Sequence, residues 1–148
     1  MLKSADIQAL RTQTGAGVVD CKHALEEAGG NVDEAIKILK ERGLARAASR
    51  AEHEAEAGVI DAYIHQDKIG VLFELNCETD FVARTSEFKE LAHNLSMQIA
   101  AMNPENVEEF LGGNYIKDET KTVADLINDV IAKTGENIKI GRFIRYEL

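Results

Sequence analysis

Apolar residues in the first part of the chain recur at the three- and four-residue spacing that is typical of amphipathic helices. The pattern predicts three short helices, whose boundaries are marked by Gly15 and Gly17, by Gly29 and Gly30, and by Gly43. We expect the third helix to end at Gly43, because glycine is common just beyond a helix C-terminus. A unit of this size buries little surface, so we expect a neighbour or a partner to stabilise it.

The following segment, residues 44–57, has no clear apolar face and is rich in Ala, Arg and Glu. This composition predicts a linker with helical tendency. Arg42, Arg46 and Arg50 are four residues apart, so a helix would place them on one face. We interpret this row as a solvated face, where charged side chains usually lie.

The periodicity changes in residues 58–148, where alternating and helical patterns both occur. Residues 59–65 and 69–76 alternate as two strands around a polar turn. Residues 138–146 predict a final strand with a bulge at Gly141. We expect these strands to form a small, mostly antiparallel sheet.

Two amphipathic helices are predicted between the second and the last strand, over residues 85–102 and 122–135. Residues 103–121 are polar, contain Gly112 and Gly113, and predict a connection between these helices. The fold class is therefore α+β, with an antiparallel sheet covered by two helices on one side. The other side of the sheet would be exposed in a monomer, which favours self-association.

Charge and composition narrow the possible partners and the location. The formal net charge is −9, and an acidic surface repels phosphates, so we expect no nucleic-acid partner. Cys21 and Cys77 have neither metal nor redox spacing and favour a reducing compartment. The sequence shows no apolar run of signal-peptide length and no segment long enough to span a bilayer. We therefore expect a cytoplasmic protein without a membrane partner.

The residue pattern does not predict catalysis. Cys21 and His23 are two residues apart on a helix and would point away from each other, so we place the thiol in the core and the imidazole on the surface. A catalytic Cys77 would need a histidine base, and the sequence places none beside it. Gly15 and Gly17 lack the preceding strand and the lysine–serine end of a phosphate-binding loop. We expect no enzyme activity, no metal and no cofactor.

The segment from Glu74 to Arg84 is harder to explain by structure alone. Thr79 or Asp80 can cap the helical turn that follows the second strand. Phe81 then lies at the start of that turn, and two interpretations are open. The ring either packs back onto the sheet or is exposed as an anchor for a protein partner.

Three segments resemble the elongation factor Ts family. They are LRTQTGAGVVDCKHAL at residues 10–25, LNCETDFVAR at residues 75–84, and GENI followed by RFIRYEL within residues 135–148. These segments follow the family's order and span nearly the whole chain, so the resemblance is specific. It implies a non-enzymatic guanine-nucleotide exchange factor that promotes GDP release from elongation factor Tu in translation elongation.

The resemblance also implies a domain organisation. Residues 1–43 would form a three-helix ubiquitin-associated-like domain that docks on the nucleotide-binding domain of elongation factor Tu. Residues 44–57 would form the helical linker, and residues 58–148 would form the family's α+β core and dimerisation domain.

The contact residues that the resemblance implies fall into two groups. One group would disturb the magnesium and phosphate site of the GTPase, with the Phe81 ring intruding between its helices. It consists of Thr79, Asp80, Phe81 and Val82. The other group would bind the GTPase from the N-terminal helices and the first hairpin. It consists of Arg11, Val18, Val19 and His65.

The sequence departs from the usual family pattern in three places. Val18 and Val19 replace a pair of methionines, which leaves a smaller apolar contact. The connection at residues 103–121 is shorter than usual. A cysteine that links protomers in some short relatives is replaced here by Ile144 or lies elsewhere, so we expect no covalent dimer. Longer relatives have two copies of the core, and we therefore expect a noncovalent homodimer that supplies the missing half. The alternative function is a ubiquitin-associated-like adaptor without exchange activity, which residues 1–43 alone would permit.

Overall fold

The computed structural model describes residues 3–148 and divides them into two compact units. The first unit extends to Ser49, and the second runs from Arg50 to Leu148. The first is helical, and the second combines helices with a small antiparallel sheet. The predicted α+β class is therefore confirmed.

The three predicted helices are α1 (Ser4–Thr14), α2 (Val18–Glu27) and α3 (Val32–Arg50), and all but the last residue of α3 belong to the first unit. Their similarity to a ubiquitin-associated domain stays a prediction. Five side chains form a core without solvent exposure. They are Leu10, Cys21, Ala24, Leu25 and Ala35. The core is small, as the length of the segment predicts.

The predicted end of the third helix at Gly43 is wrong, because α3 continues to Arg50. Glycine inside a helix costs about 1 kcal/mol relative to alanine, and ion pairs with α2 oppose that cost. The Arg46 guanidinium donates to the Asp20 carboxylate at 3.0 and 3.4 Å, and Arg42 pairs with Glu27. The arginine row is therefore not simply a solvated face, and residues 44–50 are part of α3.

The second unit has nine elements. In chain order they are β1 (Ala57–His65), β2 (Ile69–Cys77), α4 (Asp80–Ala83), α5 (Ser86–Met102), α6 (Val107–Gly112), β3 (Asn114–Tyr115), β4 (Asp118–Thr122), α7 (Val123–Thr134) and β5 (Ile138–Glu147). Strands β1, β2 and β5 form an antiparallel sheet with β2 in the centre.

The predicted bulge in the last strand is confirmed. The pairing of β2 with β5 shifts between Phe73 and Leu75, which lie opposite Phe143 and Ile140. Gly141 falls in the shifted stretch, and a Cβ atom there would overlap the carboxylate of Glu74. Glycine therefore leaves space for that side chain at the bulge.

The two long helices of this unit lie where they are predicted, and each begins next to a capping threonine. Thr85 caps α5 by accepting from the Phe88 amide at 3.3 Å. Thr122 and Asp125 form a reciprocal capping box at the start of α7. Helix α5 packs on β1 and β2, whereas α7 packs against α5, α6 and β4.

The predicted connection over residues 103–121 joins α5 to α7 and has structure of its own, which the sequence did not indicate: it contains α6 and the β3–β4 hairpin. The Phe110 ring of α6 is buried and contacts the rings of Phe73 and Phe143. Asn106 caps α6 by accepting from the Glu109 amide at 2.8 Å. The segment thus contributes an aromatic side chain to the covered side of the sheet.

The opposite side of the sheet is exposed, as predicted, and it carries several large apolar side chains. Register places Leu72 of the central strand between Ala62 and Ile144, and Gly70 between Ile64 and Tyr146. We call this surface the open sheet face. Its large exposed apolar side chains are Ile60, Ile64, Leu72, Ile144 and Tyr146.

Candidate partner-binding site

The turn after β2 is a single capped turn of helix. Thr79 has an extended backbone, and its hydroxyl oxygen accepts from the Val82 amide at 3.3 Å. Of the two predicted caps, Thr79 therefore fills the position, and Asp80 is the first residue of α4. A carboxylate in that first turn is favourable because the amide groups at a helix start carry partial positive charge.

The same turn places adjacent side chains in opposite environments. Val82 and Ala83 are buried, at 5% and 4% exposure, and anchor the turn to the unit. Phe81 is 81% exposed, so most of its ring is in contact with solvent. The interpretation in which Phe81 packs back onto the sheet is therefore wrong.

Two carboxylates hold this turn from the side. Glu136 accepts from the Thr79 amide at 3.0 Å and from the Thr79 hydroxyl at 2.7 Å. Glu78 accepts from the Asn137 amide at 2.7 Å and lies 3.0 Å from Nδ1 of His53. The bond from the Asn137 amide, followed by that from His53, lowers the pKa of Glu78.

His65 is the last residue of β1, next to the polar turn, as predicted. Its Nδ1 atom lies 2.8 Å from the hydroxyl of Tyr63. The Tyr63 ring meets His93 edge-on, and Nδ1 of His93 lies 3.1 Å from Asp61. These contacts orient an imidazole that remains exposed at the end of the hairpin.

The N-terminal candidates lie on two consecutive helices. Arg11 is exposed on α1, while Val18 and Val19 are the first two residues of α2 and are 51% and 65% exposed. Gly15 has a positive φ of 67° and donates to the carbonyl of Arg11 at 2.8 Å. The glycine segment is therefore a turn between helices, which agrees with the sequence interpretation.

The candidate residues do not form one cluster. Thr79, Asp80, Phe81 and Val82 are contiguous, whereas His65 lies at the other end of the β1–β2 ladder. Nine residues of β2 separate the two ends, which is roughly 27 Å at the rise of a β-strand. Arg11, Val18 and Val19 belong to the other unit, which is described by itself.

We call the capped turn of residues 79–83 the Phe81 turn. Sequence reasoning missed the residues that support it. Glu78 and Glu136 both lie inside segments that resemble the family, but no spacing rule connects Glu136 with Thr79, which is 57 residues away. Only the antiparallel pairing of β2 with β5 brings Cys77 opposite Ile138 and so joins these segments.

The cysteines have the burial of core residues. Cys21 is fully buried and His23 is exposed, as predicted for a core thiol and a surface imidazole. Burial raises the pKa of Cys77 to about 11, which leaves almost no thiolate at neutral pH. Residues 3–148 contain no cluster of three His, Cys, Asp or Glu side chains that could hold a metal ion. Within the same range, no helix has the length and apolar character needed to cross a membrane.

Comparison with known proteins identifies relatives that match nearly the whole chain. A family model described as elongation factor TS matches residues 78–148. Elongation factor Ts of Thermotoga petrophila is 46% identical, and the match covers 96% of this chain and 94% of that protein.

Two further relatives have the same name. Elongation factor Ts of Moorella thermoacetica is 42% identical, with 100% of this chain and 96% of that protein covered. That of Thermodesulfovibrio yellowstonii is 39% identical, with 96% and 94% covered. The alignments are longer than this chain, so these relatives contain residues that it lacks. Since identity of this level extends over nearly the whole sequence, the chain belongs to the elongation factor Ts family of translation elongation factors.

Proposed function

We propose that this protein is a guanine-nucleotide exchange factor that promotes GDP release from elongation factor Tu. The observation that carries the proposal is the 81% exposure of Phe81 on a turn that is anchored by the buried side chains of Val82 and Ala83. An aromatic ring held outside its own core is a typical anchor for a protein partner. In this proposal Thr79, Asp80 and Phe81 meet the magnesium side of the nucleotide site, and the Phe81 ring intrudes there. Val82, which the sequence also suggested as a contact, is buried and supports the turn instead.

The exchange follows from linkage between two ligands of the GTPase. Magnesium and phosphate contacts hold GDP on the GTPase. A protein that binds the GTPase more tightly when these contacts are broken must weaken GDP binding to the same extent. Typical coupling energies are about 1–3 kcal/mol, and burial of one phenylalanine ring can supply roughly 1.5–3 kcal/mol. One ring therefore provides a coupling of ordinary size, and further contacts must add to it in an efficient factor.

The second group of residues would supply part of that further binding. We propose that the first three helices act as a ubiquitin-associated-like docking domain that contacts the GTPase through Arg11, Val18 and Val19. The two valines are exposed and adjacent at the start of α2, which supports an apolar contact. His65 would add a contact from the hairpin.

This function requires no covalent chemistry from the factor itself. A thiol enzyme based on Cys77 is disfavoured, because the side chain is fully buried and its pKa is raised to about 11 by burial. We accordingly propose a non-enzymatic factor that works in the cytoplasm, where translation takes place.

We further propose a noncovalent homodimer in which the open sheet face of one copy covers that of the other. Large exposed apolar patches on soluble proteins mark interaction sites. A three-stranded sheet with a helix on one side has room for a second layer on the other. The position of Ile144 within this face supports an apolar contact there rather than a covalent link.

The proposed function can be tested by measuring release of a fluorescent GDP analogue from purified elongation factor Tu. We expect micromolar wild-type protein to accelerate release, and Phe81→Ala to lose most of that acceleration. Ile116→Ala is a matched control, because Ile116 is also an exposed apolar residue of the second unit.

Absence of acceleration by the wild type would refute the exchange function. Full activity of Phe81→Ala would refute the intrusion of the ring. A wild-type protein that binds the GTPase without accelerating release would favour the adaptor alternative.

A further inference from the structure

Two chain segments that are far apart in sequence exchange carboxylate contacts beside the Phe81 turn. Glu136 binds the amide and the hydroxyl of Thr79, while Glu78 binds the amide of Asn137. In each segment, a carboxylate thus accepts a hydrogen bond from a backbone amide of the other segment. We call these four residues the carboxylate clasp.

The contact made by Glu136 fixes the direction of the Thr79 hydroxyl. That hydroxyl donates to Oε2 of Glu136 at 2.7 Å, and the same oxygen accepts from the Val82 amide at 3.3 Å. Because the proton is directed to the carboxylate, a lone pair remains for the amide. A charged acceptor also makes a stronger bond than a neutral one. The order of α4 therefore depends on a chain of bonds that begins at Glu136.

The Glu136 side of the clasp is itself well anchored. Gly135 ends α7 with a positive φ of 74° and donates to Ile131 at 2.9 Å. The side chain of Asn137 is 3% exposed and donates to the carbonyls of His53 at 2.8 Å and Ala51 at 3.4 Å. Glu136 therefore extends from a fixed support toward the turn that it holds.

The exposed ring needs such a support. At 81% exposure, Phe81 has little packing of its own to fix its direction. The buried side chains of Val82 and Ala83 anchor α4 to the rest of the unit. The clasp holds the beginning of the same turn through Thr79. Without the clasp, the ring would sample a wider cone before it met a partner, and ordering it would then oppose binding.

We propose that Glu136 is a positioning residue that holds the Phe81 ring in the direction needed for entry into the GTPase. The proposal rests on the exchange function proposed above and deepens it. Glu136 acts through Thr79 and α4, so its removal should affect the step in which the ring enters more than the initial encounter. The measurable consequence is a lower maximal rate of GDP release at saturating factor, with little change in the half-saturating concentration.

A spectroscopic test can separate positioning from activity. The sequence contains no tryptophan, so Phe81→Trp introduces a single indole at the ring position. Time-resolved anisotropy of this indole then reports the angular range of the side chain. It would be measured in three proteins that all carry Phe81→Trp: one with Glu136, one with Glu136→Gln and one with Glu136→Ala. Glu119→Ala is the control, because Glu119 is an exposed carboxylate on β4. Thermal unfolding of each variant, monitored by circular dichroism, shows whether the fold is intact.

We expect Glu136→Ala to widen the angular range of the introduced indole while Glu119→Ala leaves it unchanged. In the protein that retains Phe81, Glu136→Ala should lower the maximal GDP release rate by at least about tenfold, because it removes both charge-assisted hydrogen bonds to Thr79. Glu136→Gln retains an acceptor for the Thr79 amide, so it should restore part of both signals. Since glutamine keeps the shape of the side chain, this variant also decides the question if the alanine variant does not fold.

Two results would overturn the positioning role. One is an unchanged angular range of the indole in folded Glu136 variants. The other is a wider range with an unchanged maximal rate, when the wild type is active. An inactive wild type would instead overturn the proposed function, and the anisotropy would still show whether Glu136 controls the direction of the ring.

Discussion

A Cβ atom on Gly58 would overlap the carbonyl oxygen of Leu75 on the neighbouring strand and lie 2.9 Å from the Asn76 Cα atom. Gly58 also has a φ of 156°, a backbone conformation that other residues rarely adopt. The start of β1 therefore approaches β2 more closely than a side chain would allow. This approach lies beside Cys77, where β2 leads into the Phe81 turn.

We expect Gly58→Ala to destabilise the second unit by about 2–4 kcal/mol, because backbone strain and steric overlap act together. Gly141→Ala is the matched control, since its Cβ would meet the movable side chains of Glu74 and Asn76. We expect the control to cost about 1 kcal/mol or less, as for a surface rearrangement. Urea unfolding of the two variants would measure both values, and equal stability would contradict the strain argument.

Phe81 and Val82 are adjacent, but they should contribute to stability very differently. Phe81→Ala should change the free energy of unfolding by less than about 0.5 kcal/mol, because the ring is mostly exposed. Val82→Ala should cost roughly 1–3 kcal/mol, because the side chain is buried at 5% exposure. Denaturant unfolding monitored by circular dichroism would compare them. A Phe81→Ala variant as unstable as Val82→Ala would show that the ring packs within its own chain.

The ion pair between Asp20 and Arg46 should make stability depend on acid pH. The hydrogen bond from Arg46 lowers the pKa of Asp20 below its usual value of 3.8. An acid whose pKa is lower in the folded state stabilises the fold above its unfolded pKa, and this stabilisation disappears as pH falls through the folded pKa. The window therefore lies below the usual pKa of aspartate.

We expect Asp20→Asn to destabilise the helical unit by about 0.5–1 kcal/mol at pH 7, the usual range for a pair near the surface. The difference from the wild type should shrink in acid below pH 3.8. Glu26→Gln is a suitable control, because Glu26 makes an exposed pair with Lys22 at a longer distance of 3.8 Å. Thermal melts at several pH values would measure both variants, and a pH-independent difference would exclude the ion pair as its cause.

Local patterns in the sequence predict most of the elements but not the boundaries that depend on remote contacts. The amphipathic patterns over residues 85–102 and 122–135 placed α5 and α7 close to their observed ends, because this periodicity arises within a single helix. Gly43 gave the wrong end for α3, since pairs between α2 and the second half of α3 lie outside any local window.

The candidate site shows the same distinction. Exposure of Phe81 could not be decided from the sequence, because it depends on which side of α4 faces the sheet. Phe110 was missed for the opposite reason, since its short helix offers too few apolar positions for a periodic signal. Contacts of Glu136 with Thr79 depend on strand pairing, so no pattern at either position predicts them.

The open sheet face provides the test of self-association. Leu72 lies on the central strand of this face, directly between Ala62 and Ile144, so a dimer across the face would bury it near its centre. Leu72→Lys places a charge there, and burial of an unpaired ammonium costs several kcal/mol. Because Leu72 is 51% exposed in the single chain, the monomer should keep its fold.

We expect the wild type to sediment as a dimer at micromolar concentration and Leu72→Lys to raise the dissociation constant by at least about a hundredfold. Ile116→Lys is the control, because Ile116 is exposed to a similar degree but lies between β3 and β4, outside the face. Sedimentation equilibrium of the three proteins would give their masses directly. If the wild type sediments as a monomer at tens of micromolar, or if Leu72→Lys remains dimeric, the open sheet face is not the interface. Equal dissociation of both lysine variants would point to a general effect of charge on an acidic protein rather than to a defined contact.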